Sequence, residues 1–254
     1  MIKISELVQK KQEKQSKKTT TFGNNEYTDE EIRVSLRLRE DKIKQKISFF
    51  KRISSIPTNF EQFNFENAVV DSKQEQEVKA KLEYYCDNFK KAKNMGIGLC
   101  LVGKIGTGKT FYSLCVMNSL IEKRYKIYRT SLNSIFQRMK DTLFNKESKE
   151  TIEEIFKNLT EADLIILDDV GVEYMTSWGK AQLFDIFNFF YEKNKCIVMT
   201  TSLEQEKFKE FMQVNDDNPI LDRFSQKIKT LKFTWKSKRK EIGEKIFKEF
   251  WNEI

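Results

Sequence analysis

Gly103-Lys104-Ile105-Gly106-Thr107-Gly108-Lys109-Thr110 matches G-x-x-x-x-G-K-[ST], a spacing suited to holding a chain of phosphates. Glycines let the backbone wrap so that successive N–H groups point at a β-phosphate. A helix starting at Lys109 adds the partial positive charge of its N-terminus. The Lys109 ammonium then reaches the β- and γ-phosphates, and the Thr110 hydroxyl binds Mg²⁺. The expected ligand is therefore ATP with Mg²⁺. The expected nucleotide-binding set is Gly103, Lys104, Ile105, Gly106, Thr107, Gly108, Lys109, Thr110 and Phe111.

Leu164-Ile165-Ile166-Leu167 is an unbroken apolar run that ends in Asp168 and Asp169, about 60 residues beyond the loop. Carboxylates at the end of such a strand face the ligand crevice of a parallel sheet. Asp168 is expected to join Thr110 in holding Mg²⁺, and Asp169 to orient or deprotonate an attacking water. The chain has no histidine, so acid–base work falls to carboxylates or lysines. Cys196-Ile197-Val198-Met199 runs into Thr200-Thr201-Ser202, three hydroxyls of which one could polarise water or touch a γ-phosphate. Ser202 could equally cap the following helix. Arg223, in Asp222-Arg223-Phe224, and Arg239, in Ser237-Lys238-Arg239, carry the planar fork that binds phosphate. Taken alone, either one reads more readily as a solvated surface charge.

These residues need a scaffold in which strands alternate with helices. From residue 73 the pattern predicts helices over about 73–93, 109–124, 131–145, 150–159, 177–193 and 203–213, a short helix near 219–224 and a basic C-terminal helix. Strands are expected over 98–102, 126–129, 164–167, 196–200 and 228–233. That alternation predicts a parallel sheet covered on both faces. Upstream, Thr28 and Glu31 form a plausible capping box for a helix over about 29–52. Residues 1–27 are polar and aperiodic and read as a flexible arm. Phe60, Phe63 and Phe65 link the two regions, either as packing residues or as a rest for a purine ring.

The net charge of +8 is uneven: residues 1–52 and 223–254 each carry +6, and the middle carries −4. Basic ends suit nucleic-acid contact, or they keep exposed helices soluble. Four separated cysteines without a CxxC pair exclude an ordinary zinc site and read as buried thiols. No apolar run approaches the length of a membrane span, and the first residues lack a signal-peptide core, so a cytoplasmic protein is expected.

The layout over residues 58–240 resembles AAA+ ATPases, and within them the DnaC/DnaI-type replicative helicase loaders and the IstB-type transposition ATPases. The likeness rests on the loop, on Leu167-Asp168-Asp169-Val170-Gly171-Val172-Glu173, on Thr176-Ser177-Trp178, and on Ile220-Leu221-Asp222-Arg223-Phe224 with Ser237-x-Arg239. It implies a five-stranded parallel sheet in the order 5-1-4-3-2. It also implies that Arg223 is an arginine finger supplied in trans and that Arg239 is a second sensor acting in cis. Ser202 stands where the family has a first-sensor asparagine, and Trp235 where it usually has glycine. The serine makes a shorter, weaker contact, which leaves the hydrolysis rate open.

The resemblance further implies an ATP-dependent oligomer that grips single-stranded DNA and receives a hexameric DnaB-type helicase. The expected division is 1–55 as a basic arm and helix that holds the helicase, 56–95 as a linker with a lead-in helix, and 96–254 as the ATPase domain. The zinc-binding domain of DnaI-type loaders has no counterpart, because the first cysteine is Cys86. Two rivals share the nucleotide residues: an IstB-like helper of a transposase on duplex DNA, and a nucleotide-gated binding protein that scarcely hydrolyses ATP.

Overall fold

The computed structural model describes residues 19–22, 25–145, 147–173, 175–213 and 219–251. The chain divides into two compact units, Met1–Lys46 and Ile47–Ile254. In the smaller one, strands β1 (Thr19–Phe22) and β2 (Asn25–Thr28) pair antiparallel. This corrects the expectation of a flexible arm at residues 19–22 and 25–27: the β-branched Thr19-Thr20-Thr21 run favours a strand once a partner is supplied. The parts of that expectation covering residues 1–18 and 23–24 lie outside the described residues. Helix α1 (Asp29–Ile53) starts as expected. The Glu31 carboxylate accepts from the Thr28 N–H at 2.8 Å, and the Glu31 N–H donates to the Thr28 hydroxyl at 3.3 Å.

In the larger unit an apolar sheet recruits helices on both faces. Helix α2 (Lys73–Asp87) and helix α3 (Phe89–Met95) replace the single helix predicted over 73–93. The break falls at Asn88, whose backbone leaves the helical region at φ −102° and ψ 19° while its N–H and side-chain amide both donate to the Tyr84 carbonyl, as at a helix end. Strand β3 (Gly98–Gly103) then leads through the glycine loop into α4 (Lys109–Glu122). The rest alternates as expected: β4 (Ile127–Thr130), α5 (Leu132–Phe144), α6 (Ile152–Glu161), β5 (Leu164–Leu167), α7 (Ser177–Glu192) and β6 (Cys196–Thr201). Helices α8 (Gln205–Met212) and α9 (Pro219–Lys227), strand β7 (Ile228–Phe233) and helix α10 (Arg239–Trp251) complete the unit.

All four strand pairs are parallel, in the order β4-β5-β6-β3-β7. Numbered from the first sheet strand, this is the order 5-1-4-3-2 that the resemblance implied. Alternate residues of β5 feed opposite cores: Ile165 and Leu167 pack with α5, α6 and α7, whereas Leu164 and Ile166 pack with α2, α3 and α4. Burial on both faces explains why this strand is apolar without alternation. Phe50, near the end of α1, is buried beside Tyr128 of β4. The four cysteines are free and buried, and burial raises their thiols, to about 12 for Cys86, Cys100 and Cys115 and about 11 for Cys196. No helix among the described residues is long and apolar enough to cross a membrane.

Candidate nucleotide site

Because β6 lies between β3 and β5 and all three run parallel, their C-terminal ends open side by side. The register sets Val102 opposite Thr201, and Leu167 opposite Met199. The glycine loop, Asp169 and Ser202, just past the end of β6, therefore line one cleft of about 860 Å³, with Asp168 packed behind it against Thr110 and Thr200. Gly106 and Gly108 both have left-handed backbone, at φ +85° and +92°. A Cβ on Gly106 would collide with Ser237, so the loop closes this tightly only with glycine there. Gly106→Ala is expected to weaken ATP affinity by about tenfold or more, from backbone strain. Fluorescence titration with a labelled nucleotide measures this; wild-type affinity would show that the loop need not hold this shape.

Lys109 is nearly buried, and its ammonium donates to the Gly103 carbonyl at 2.7 Å and the Lys104 carbonyl at 3.0 Å. Burial lowers its pKa and Arg239 adds to the effect, while Asp169 and Asp168 oppose it. The Thr110 hydroxyl donates to Asp168 Oδ1 at 3.3 Å, so the two residues expected to hold Mg²⁺ stand together. A hydroxyl and a carboxylate are hard oxygen donors of the kind Mg²⁺ takes, and they fit that ion. Asp169 sits next to them at φ +53°, a left-handed conformation that costs about 1 kcal/mol or more and is characteristic of sites held by their surroundings. Its carboxyl pKa is raised, first by burial and then by the Asp168 charge, against Lys109, Arg129 and Arg239. Arg239 and Ser202 line the same cleft in the same chain, as do Phe63 and Phe111, whose rings lie 5.7 Å apart.

A family model described as IstB-like ATP binding protein matches residues 3–245. The chain belongs to this family. Among its relatives, DnaC of Buchnera aphidicola, named a replicative helicase loader, is 25% identical to this IstB-like chain over 180 residues, or 70% of each protein. DnaI of Bacillus subtilis, also named a replicative helicase loader, is 36% identical over 88 residues. That match spans 35% of the chain and 27% of the Bacillus protein. The crystal structure of the DnaC helicase loader has the same AAA+ fold, with a TM-score of 0.57 at 18% identity, over 69% of this chain and 99% of that one.

Other parts of this IstB-like chain fall less simply into place. Arg223 does not line the cleft of its own chain. It lies on α9, hydrogen-bonded to the Asn188 side chain of α7 and with its guanidinium 5.2 Å from the Tyr191 ring centre. Ser202 does not cap the next helix, because the N-cap of α8 is Glu204.

Three residues have places that the sequence did not assign them. Thr200, fully buried, donates to Asp168 Oδ1 at 2.6 Å and accepts the Asp169 N–H at 2.8 Å. Arg129, at the end of β4, pairs with Asp168 Oδ2 and with the Ser55 carbonyl. Trp235, the departure from the family's glycine, donates its indole N–H to the Thr107 carbonyl at 2.9 Å and so braces the loop from outside. A lone arginine ending a strand was the only available signal for Arg129. Thr200 was one of three adjacent hydroxyls with nothing local to separate them.

Thr200→Val keeps the volume and removes both hydrogen bonds. It is expected to cut ATP hydrolysis by about 10- to 100-fold and stability by about 1–3 kcal/mol, from the stranded Asp169 N–H and the loosened Asp168. A steady-state ATPase assay with thermal melts checks this; a wild-type turnover number would remove Thr200 from the site.

Proposed function

We propose that this protein is an ATP-dependent loader that places a hexameric DnaB-type replicative helicase onto single-stranded DNA during replication. The observation that carries the reading is the match with a replicative helicase loader over 70% of the chain. In this reading the loop N–H groups and Lys109 hold the β- and γ-phosphates of ATP. Thr110 and Asp168 hold Mg²⁺, which neutralises charge developing on the phosphates. Asp169, which lines the cleft, accepts the proton of the attacking water. Ser202 reaches toward the γ-phosphate, Arg239 closes over the nucleotide in cis, and Arg223 completes the site of a neighbouring subunit. The ATP-bound subunits form an oligomer whose basic surface follows the phosphates of single-stranded DNA without strong sequence preference. Residues 1–55 capture the helicase, and the work is done in the cytoplasm.

The IstB-like reading, assistance of a transposase on duplex DNA, has its own support in the family model, which reaches back to residue 3. The two part company at the partner. The whole chain is expected to co-purify with the replicative helicase of its source in the presence of ATP. A chain starting at Ile47, where the larger unit begins, is expected to keep its ATP affinity within about threefold and lose the helicase. Capture of a transposase and not the helicase would hand the function to the second reading.

A further inference from the structure

Glu75, in the first turn of α2, is a carboxylate only 2% exposed. A buried charge is costly unless it is paired, and Lys238 pairs with this one. The Lys238 ammonium donates to the Glu75 carboxylate at 2.8 Å, lies 2.9 Å from the Asp71 carboxylate and donates to the Val69 carbonyl. The Tyr112 hydroxyl of α4 stands 3.5 Å from Glu75. Burial alone would lower the Lys238 pKa, but the hydrogen bonds to Glu75 and Asp71 outweigh it and raise the value, so the group is held charged.

The same residue grips the cleft by its backbone. Its N–H donates to the Gly106 carbonyl at 2.9 Å, and its carbonyl accepts the Ile242 N–H at 3.0 Å, which closes the first turn of α10. Lys238 therefore joins three walls of the cleft: the stretch 69–75, the glycine loop and the start of the helix that carries Arg239. Helix α10 buries none of its residues, so apolar packing does little to fix where it sits. The polar anchor at Lys238 sets the place of Arg239.

We infer that Lys238 is a positioning residue for the nucleotide: by gripping Glu75, Asp71 and Val69 it holds Arg239 where a γ-phosphate arrives, and so favours a triphosphate over a diphosphate. The inference rests on the cis role of Arg239 proposed above. Arginine meets phosphate through a rigid planar fork, so its contact is sensitive to small shifts of the backbone that carries it. An ion pair that only stabilised the fold would affect ATP and ADP alike, since both use the glycine loop.

The test is isothermal titration of the full chain with the ATP analogue AMPPCP and with ADP, each with Mg²⁺, and thermal melts of the same samples. Lys238→Met alone strands the buried Glu75 charge, so the variant is Glu75→Gln/Lys238→Met, which removes both charges together. It is expected to bind AMPPCP about tenfold more weakly and ADP within about threefold of wild type. Arg239→Ala is expected to show the same pattern. The triple variant is expected to bind no more weakly than Arg239→Ala, because the two changes act through one contact. Asp71→Asn, at the exposed partner, leaves the buried pair intact and is expected to weaken AMPPCP alone by about threefold. Equal losses for AMPPCP and ADP, or losses that add to those of Arg239→Ala, overturn the inference and leave the role of Arg239 standing. Wild-type AMPPCP affinity in Arg239→Ala overturns the cis role of Arg239 and the inference with it. If the paired variant fails to melt cooperatively, Asp71→Asn decides, and unchanged AMPPCP affinity there overturns the inference.

Discussion

Lys109→Ala is expected to weaken ATP binding by at least about 100-fold, which is about 2.7 kcal/mol. The ammonium already sits inside the loop, on the Gly103 and Lys104 carbonyls, so the charge is in place before nucleotide arrives. Moving it from two neutral carbonyls to a polyphosphate adds an opposite charge on the acceptor to hydrogen bonds whose donor is already ionised, in a partly dry site where that attraction is strong. The change should spare the fold. Burial lowers the Lys109 pKa, so holding the ammonium in the loop costs the native state some stability. Stability tied to such a group improves only as the pH rises toward the ordinary lysine value. Removing the amine therefore relieves a cost while leaving two carbonyls without their donor. The two effects oppose each other, and the melting point without nucleotide should stay within about 4 °C of wild type. Isothermal titration with ATP and a thermal melt on the same sample separate the two outcomes. Micromolar affinity in the folded variant would remove the loop from the nucleotide site.

Mixing two inactive variants should restore hydrolysis. Arg223→Ala alone is expected to lower turnover by about 1,000-fold, the usual worth of an arginine finger. Asp169→Asn alone should be similarly inactive for want of the base. If Arg223 serves a neighbour, an equimolar mixture contains interfaces that pair an intact Asp169 site with an intact Arg223. In a randomly mixed head-to-tail assembly these are about a quarter of all interfaces, so about a quarter of wild-type activity should return. The physical reason to expect this is the position of Arg223, held at Asn188 and Tyr191 and away from its own cleft. Arg239 supplies the contrast. It lines the cleft beside Lys109 and Asp169 in its own chain, so an Arg239→Ala and Asp169→Asn mixture should recover nothing. Recovery in the second mixture, or none in the first while the subunits still associate, would reverse these two roles.

Much of the fold was legible because its signals are local. An apolar four-residue run bounded by Asp163 and Asp168 reads as a strand, and Leu164–Leu167 is one. Thr28 with Glu31 reads as a cap, and both hydrogen bonds form. Local reading failed where a single residue's backbone, or a partner further along the chain, decided the outcome. Asn88 splits a helix that its neighbours would have continued, and the 19–22 strand became visible only with its 25–28 partner. The order 5-1-4-3-2 came from the family resemblance, since alternation of helix and strand says nothing of which strands are neighbours.

The same division runs through the site. Residue types and spacing along the chain determined the phosphate loop, the carboxylate pair and the candidate arginines, because each depends on backbone geometry over a few consecutive residues. Tertiary structure decided which of them meet. Parallel strands in that order bring β3, β6 and β5 side by side, so Thr110, Thr200 and Asp168 touch although 90 residues separate Thr110 from Thr200. It also decided that Trp235 braces the loop at Thr107, and that Arg239 faces the cleft of its own chain while Arg223 does not. Such contacts depend on distances closed by the crossover helices, and a linear pattern does not contain those distances.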